Sequence, residues 1–255
     1  MTTVISAHHL HKSFGGINAV NDVSVSFEEK RLYGLIGPNG AGKSTLINLL
    51  SGQLSVDSGI IEYQGRDITQ APPHIRSRKG VGRTFQHTRL TEAMTLLETV
   101  ISGCLISKRA GILAYLLQIP STRLKYLSSR GEAQIILELV GLEDLANSMV
   151  RELSWADQRL LEIARALALK PKILLLDEPT AGMHVEALPR VAVLLKNLVE
   201  QGLSVVVIEH NVPFISNTVN YVYAMDSGSI IADGAPSDVL KSKEVIQSYL
   251  GEFHE

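Results

Sequence analysis

The alternation of apolar and polar positions divides this chain into strands and helices before any residue chemistry is considered. The first part reads as short strands, TVISAHHL, AVNDVSVSF, RLYGLIG and GIIEYQG, each bounded by glycine, an Asn-Asp pair or a charged break. Between the third and fourth strands, Leu46, Leu49 and Leu50 recur at i, i+3 and i+4, which predicts a helix opening directly out of a glycine-rich loop. From roughly residue 92 to 170 the pattern is mostly helical but uneven, and TRLKYLSSRGEAQ, its most polar stretch, reads as loop. The final third alternates strand KILLLDE, helix HVEALPRVAVLLKNLVEQG ending at Gly202, then strands LSVVVIEH and VNYVYAM. The tail SDVLKSKEVIQSYLGEFHE reads as one or two short amphipathic helices. Continuous apolar strands separated by helices predict a parallel sheet covered on both faces, an α/β fold. No internal repeat or low-complexity segment interrupts this order.

One loop carries recognisable chemistry. GPNGAGKST, set between the strand LYGLI and the helix, fits G-x-x-x-x-G-K-[ST] with Gly37, Gly42, Lys43 and Ser44 in place. Small residues let backbone N–H groups wrap a phosphate chain, so Asn39, Gly40, Ala41 and Thr45 join the candidate contacts. The lysine reaches the β and γ oxygens, and the Ser44 hydroxyl is suited to ligate Mg2+. The helix N-terminus adds its dipole to the same anion. A chance match in a glycine-rich turn is the competing reading, and the strand-loop-helix context argues against it. KILLLDEPT supplies the other half of the site. Asp177 is placed to hold Mg2+ through water or Ser44, and Glu178 ends the strand where it can polarise a water for in-line attack. A lone Asp-Glu is commonly a solvated acidic turn, but here a phosphate loop precedes it in the same chain.

With LSWADQ about twenty positions upstream of DEPT, these residues resemble the ATP-binding subunit of ABC transporters, in order and over essentially the whole chain. The resemblance implies a P-loop NTPase with a RecA-like parallel core, an antiparallel β subdomain and a helical subdomain. The expected division is 1–87 and 166–255 for the nucleotide core and 88–165 for the helical part. It implies ATP and Mg2+ as cofactors. Phe14 in HKSFGG then matches the aromatic that stacks on adenine. Gln86 in GRTFQ matches the residue that senses the γ-phosphate, contributes with Ser44 and Asp177 to the metal site, and couples to the transmembrane partner. Ser154 and Ala156 lie in the signature offered to a second subunit's nucleotide, and His210 in VVVIEH is the switch histidine beside Glu178. Taken singly, Phe14 reads equally well as a buried ring and His210 as a core histidine. GRTFQ, TLLETV, LLEIARAL and VIEHN, with the tail IIADGAPSDVL…VIQSYLGE, narrow the likeness to the branched-chain amino-acid and urea-type importers.

The signature departs from the usual L-S-G-G-Q. Trp155 is in keeping with the aromatic that amino-acid importers carry at the third place. Ala156 replaces the second glycine, at a cost of about 1–2 kcal/mol if the backbone must adopt positive φ. Asp157 brings a carboxylate towards a triphosphate, roughly 3 kcal/mol of repulsion at about 6 Å and an effective dielectric near 20, less if Arg159 pairs with it. The bland alternative is that Ser154 or Asp157 caps the amphipathic helix that follows. His184 in AGMHVE stands where the family has Asp or Asn. Both departures touch what the chain offers a partner, so a heterodimer with a different ABC ATPase subunit is favoured over a homodimer, alongside transmembrane permease subunits.

Composition narrows the rest. A formal net charge of -2 and a basic stretch, HIRSRKG, without interleaved aromatic residues argue against a nucleic-acid partner; that stretch reads as a solvated loop. His8, His9 and His11 in HHLH read as exposed residues, with His8 and His9 on opposite faces of a strand. The single cysteine, Cys104, precludes an intramolecular disulfide and fits a reducing compartment. No signal peptide is read at the N-terminus, and GILAYLLQIP is too short to span a bilayer. The expected location is the cytoplasmic face of a membrane, reached by docking on another protein. Two rivals stand beside this reading: a soluble ABC-type ATPase acting on nucleic acid, ribosomes or a cofactor-assembly complex, and a regulatory subunit that binds nucleotide but scarcely turns it over.

Overall fold

The structure, a computed structural model, describes residues 2–84, 90–108 and 120–250. The chain divides into two units, the first formed by Met1–Arg83, Lys172–Pro179 and Leu195–Glu255, the second by Thr84–Pro171 and Thr180–Leu194.

The first unit holds two sheets. Strands β1 (Thr3–Phe14), β2 (Ile17–Glu28), β4 (Ser58–Tyr63) and β5 (Arg66–Asp67) form an antiparallel sheet in the order β2-β1-β4-β5. The second sheet runs β10-β9-β3-β8-β7-β6, from β3 (Leu32–Ile36), β6 (Val81–Arg83), β7 (Ile173–Asp177), β8 (Ser204–Ile208), β9 (Tyr221–Asp226) and β10 (Ser229–Gly234). All its pairings are parallel except that of β10 with β9. Every residue of β3, β7 and β8 is buried, which is why their sequences are near-continuous apolar runs rather than alternations. Helix α1 (Lys43–Ser51) buries Leu46, Ile47, Leu49 and Leu50 in a core shared with residues of both sheets. The order places β8 between β3 and β7, with Ile208 in register with both Leu35 and Asp177. Three neighbouring strands therefore end together, the edge at which open parallel sheets bind ligands.

The basic stretch HIRSRKG is not a solvated loop. Residues Pro73–Lys79 form helix α2, and Arg76 is 1 % exposed. Its guanidinium donates to the carbonyls of Leu49 and Leu50 in the last turn of α1, and to those of Thr69 and Ala71. Burial draws its pKa down to about 10, so it stays charged at neutral pH. Arg76→Ala strands four carbonyls, and we expect urea unfolding to show a loss of about 3 kcal/mol or more. His8 and His9 are exposed, as the sequence suggested, and a bulge between Ala7 and Leu10, with His9 at φ 49°, interrupts the strand alternation there. His9 Nδ1 lies 2.8 Å from Asp22 Oδ1, and among the described residues no cluster of three metal-binding side chains forms.

In the second unit, α3 (Leu96–Ser107) begins with a reciprocal cap between Thr95 and Glu98. The polar stretch TRLKYLSSRGEAQ, expected as loop, lies inside the long helix α4 (Pro120–Val140). Its core-facing stripe is Ser129, Ala133, Leu137 and Val140, and two small residues in four hide the periodicity. Helix α5 (Trp155–Leu167) follows. Within this unit Thr180–Leu194 meets the helices: Trp155 bonds Ala181, and Arg190 bonds the carbonyls of Val140 and Gly141. The segment includes the start of α6 (Leu188–Glu200). Short helices α7 (Val212–Thr218), α8 (Pro236–Val239) and α9 (Lys243–Leu250) complete the first unit.

Candidate functional site

Gly37 leaves β3 at φ 147°, and a Cβ there would lie 2.1 Å from the carbonyl oxygen of Met225. Gly42 closes the loop at φ 99°, and its Cβ would meet the Ala19 carbonyl at the same 2.1 Å. Neither position accepts a side chain, and the tight wrap leaves α1 starting at Lys43 with no side chain capping its first turn. A helix start of this kind is suited to an anion. Lys43 is buried, its ammonium held beneath the loop by the carbonyls of Gly37 at 2.8 Å and Pro38 at 2.7 Å.

The acidic half comes from β7 and β8. Glu178 takes φ 50°, an uncommon conformation for a non-glycine residue, with its N–H donating to the Ile208 carbonyl. Its carboxylate lies 2.7 Å from His210 Nε2. Asp177, one residue earlier, is 4 % exposed: Oδ2 lies 3.5 Å from the Arg83 guanidinium, and buried Oδ1 has no partner. Burial pushes its carboxyl above the usual range, opposed by Arg83 and reinforced by neighbouring Glu178. Burial in turn holds Arg83 below its ordinary value.

One cavity gathers Asn39, Gly40, Ala41, Gly42, Lys43, Ser44, Thr45, Glu178 and His210, together with Ala19. Ala19 was missed in the sequence, where it is only one small residue in a strand pattern. Arg83 was also missed as a participant. It donates to Asn48 Oδ1 and Ser51 Oγ on α1 while facing Asp177, and only its place in GRTFQ hinted at a role. The unpartnered oxygen of Asp177 and the hydroxyl of Ser44 are hard oxygen donors that suit Mg2+, an ion usually held by one or two carboxylates plus phosphate and water. Phe14 is not among the residues lining this cavity. It sits at the β1–β2 hairpin, 45 % exposed, with the Lys12 ammonium 5.5 Å from its ring centre. Gln86 lies outside the described residues.

The signature departures have a physical form within the second unit. Ser154 caps α5, accepting from Asp157 N–H, and its hydroxyl donates to Asp157 Oδ2 at 2.6 Å. The capping alternative raised from the sequence therefore describes Ser154. Ala156 lies within the helix and not at positive φ, so the conformational penalty considered for it does not arise. Asp157 pairs with Arg190 at 3.4 Å rather than with Arg159, which instead bonds Glu162 at 2.9 Å and stacks 4.8 Å over the Trp155 ring. Trp155 donates its indole N–H to the Ala181 carbonyl at 2.8 Å. His184 is exposed, at the start of the turn Val185–Ala187.

The family profile described as ABC transporter matches residues 20–181, more than half of the chain. The chain belongs to the ABC transporter family. Among its relatives is the high-affinity branched-chain amino acid transport ATP-binding protein BraF of Pseudomonas aeruginosa, 36% identical over 250 residues and 98% of both chains. LivG of Escherichia coli K12, named for the same transport, is 34% identical over 98% of both. Among solved structures, the ADP conformation of MJ1267, an ATP-binding cassette of an ABC transporter, superposes with TM-score 0.86 at 31% identity, covering 98% of this chain and 100% of that one. As an ABC cassette, the chain has the α/β P-loop NTPase fold, binds ATP with Mg2+, and is an ATPase coupled to membrane transport. Among the described residues no helix is long and apolar enough to cross a membrane.

Proposed function

We propose that the chain powers import of branched-chain amino acids, or a similarly small polar solute, from the cytoplasmic face of a membrane. The observation that carries this is its near-full-length similarity to subunits named for that transport. The loop from Gly37 to Thr45 holds the triphosphate, with Lys43 reaching the β and γ oxygens and Phe14 stacking on adenine. Ser44 and Asp177, with Gln86, are the residues that hold Mg2+. The metal, when bound, neutralises charge on the reacting phosphate oxygens. Glu178 accepts the proton of the attacking water as its oxygen bonds the γ-phosphorus and the bond to ADP breaks. His210 orients that carboxylate from 2.7 Å.

The second nucleotide contact comes from another subunit's signature, and Ser154 and Ala156 are what this chain offers in return. The Ser154 hydroxyl is already committed to Asp157, which is itself tied to Arg190, so a site completed by this chain's signature is the slower one. That asymmetry favours a heterodimer with a different ABC ATPase subunit, docked on permease subunits. Reconstitution with those partners in proteoliposomes should give ATP-driven uptake of leucine, isoleucine or valine. Hydrolysis without uptake of any of them overturns the cargo. A rate per subunit that rises with the concentration of the chain alone, to the level of the mixed pair, overturns the heterodimer.

A further inference from the structure

The mouth of the phosphate loop is held from the opposite end of the chain. Tyr249 lies near the end of α9, and its hydroxyl accepts a hydrogen bond from the backbone N–H of Gly37 at 2.9 Å, across 212 residues. Gly37 is buried and immediately follows the last residue of β3. Its own carbonyl accepts from the Lys43 ammonium at 2.8 Å. The two polar groups of this residue thus face two different side chains, one from the phosphate-binding lysine and one from the C-terminal helix. The Met225 carbonyl, which a Cβ at Gly37 would meet at 2.1 Å, crowds the same residue.

We propose that Tyr249 is a positioning residue for the phosphate loop. Its hydroxyl fixes the Gly37 N–H, that residue fixes the carbonyl seating Lys43, and the seat of Lys43 sets the affinity for a triphosphate. The hydroxyl bonds the loop itself, so its removal acts on a ligand-binding element as well as on the fold. Binding energy then goes into ordering a loop that the native protein holds ready.

Tyr249→Phe removes only the oxygen and keeps the ring. Titration calorimetry of the full chain with MgATP should show Kd raised about three- to tenfold, with kcat at saturating MgATP within about twofold of wild type. Gln247→Ala, at an exposed position of the same helix, reports whether disturbing α9 alone suffices, and should leave Kd unchanged. An unchanged Kd in Tyr249→Phe overturns the inference, whether or not the melting temperature falls. A shift equal to that of Gln247→Ala overturns it too. The wild-type titration separates this inference from the site it rests on: no binding to wild type removes both, while equal binding to wild type and Tyr249→Phe removes this inference alone.

Discussion

Glu178→Gln leaves MgATP bound and stops turnover, with kcat reduced by about two to four orders of magnitude. The amide keeps the size of the carboxylate and can still meet His210 Nε2, so the cavity survives while the proposed proton acceptor is lost. Two measurements on one preparation decide it: single-turnover hydrolysis, and Kd for MgATP within about threefold of wild type. Loss of binding would make Glu178 a ligand of the nucleotide rather than the base. Unimpaired turnover would move the base elsewhere. The strained backbone at Glu178 makes the substitution informative, because glutamine carries the same φ penalty and the backbone comparison stays fair.

Asp177→Asn should separate stability from activity. Wild-type Asp177 holds a buried carboxylate with one oxygen lacking any partner, in surroundings that favour its neutral form. Asparagine has the shape of that neutral form, and its carbonyl still accepts from Arg83. The variant without nucleotide should melt no lower than wild type and up to ~3 °C higher. Mg2+-dependent hydrolysis should fall by about a hundredfold or more, since an amide is a poor ligand for a hard dication. A lower melting temperature would show that the ion pair with Arg83 supports the apo fold. Retained hydrolysis would show that the metal is held without Asp177. Both results together would show that the first unit carries at its strand edge a group that costs stability in order to bind an ion.

The parts of the site written in local sequence were legible before the structure. β3, β7 and β8 are near-continuous apolar runs because both faces are buried, and each runs straight into a loop that contributes residues to the cavity. The sequence spacing of the loop is also its spatial order, so Gly37 to Thr45 could be read directly. What could not be read were contacts between distant segments. Arg76 appeared as one charge in a basic run, whereas its role is set by carbonyls 27 and 26 residues earlier in the chain. The sequence offered Arg159 as a possible partner for Asp157, but on the helix Arg159 meets Glu162 while Arg190 arrives from another segment. α4 was missed because periodicity depends on side-chain size, and Ser129 and Ala133 bury without an apolar signal. Tyr249 and Arg83 could not be given their contacts from the sequence, since Gly37 lies 212 residues from Tyr249 and Asp177 lies 94 from Arg83.

The hydrogen bond from Trp155 to Ala181 ties the start of α5 to the segment after Pro179. Gly182 stands at φ 74°, and a Cβ there would lie 2.8 Å from the indole nitrogen, so the glycine is the counterpart of the tryptophan. Restoring paired glycines at Trp155 and Ala156 would therefore not return a generic signature. It would leave the Ala181 carbonyl without its donor, the Arg159 guanidinium without its ring, and Gly182 without the indole that covers it. Trp155, Ala181 and Gly182 therefore form one packed unit, and a change in either stretch is felt in the other.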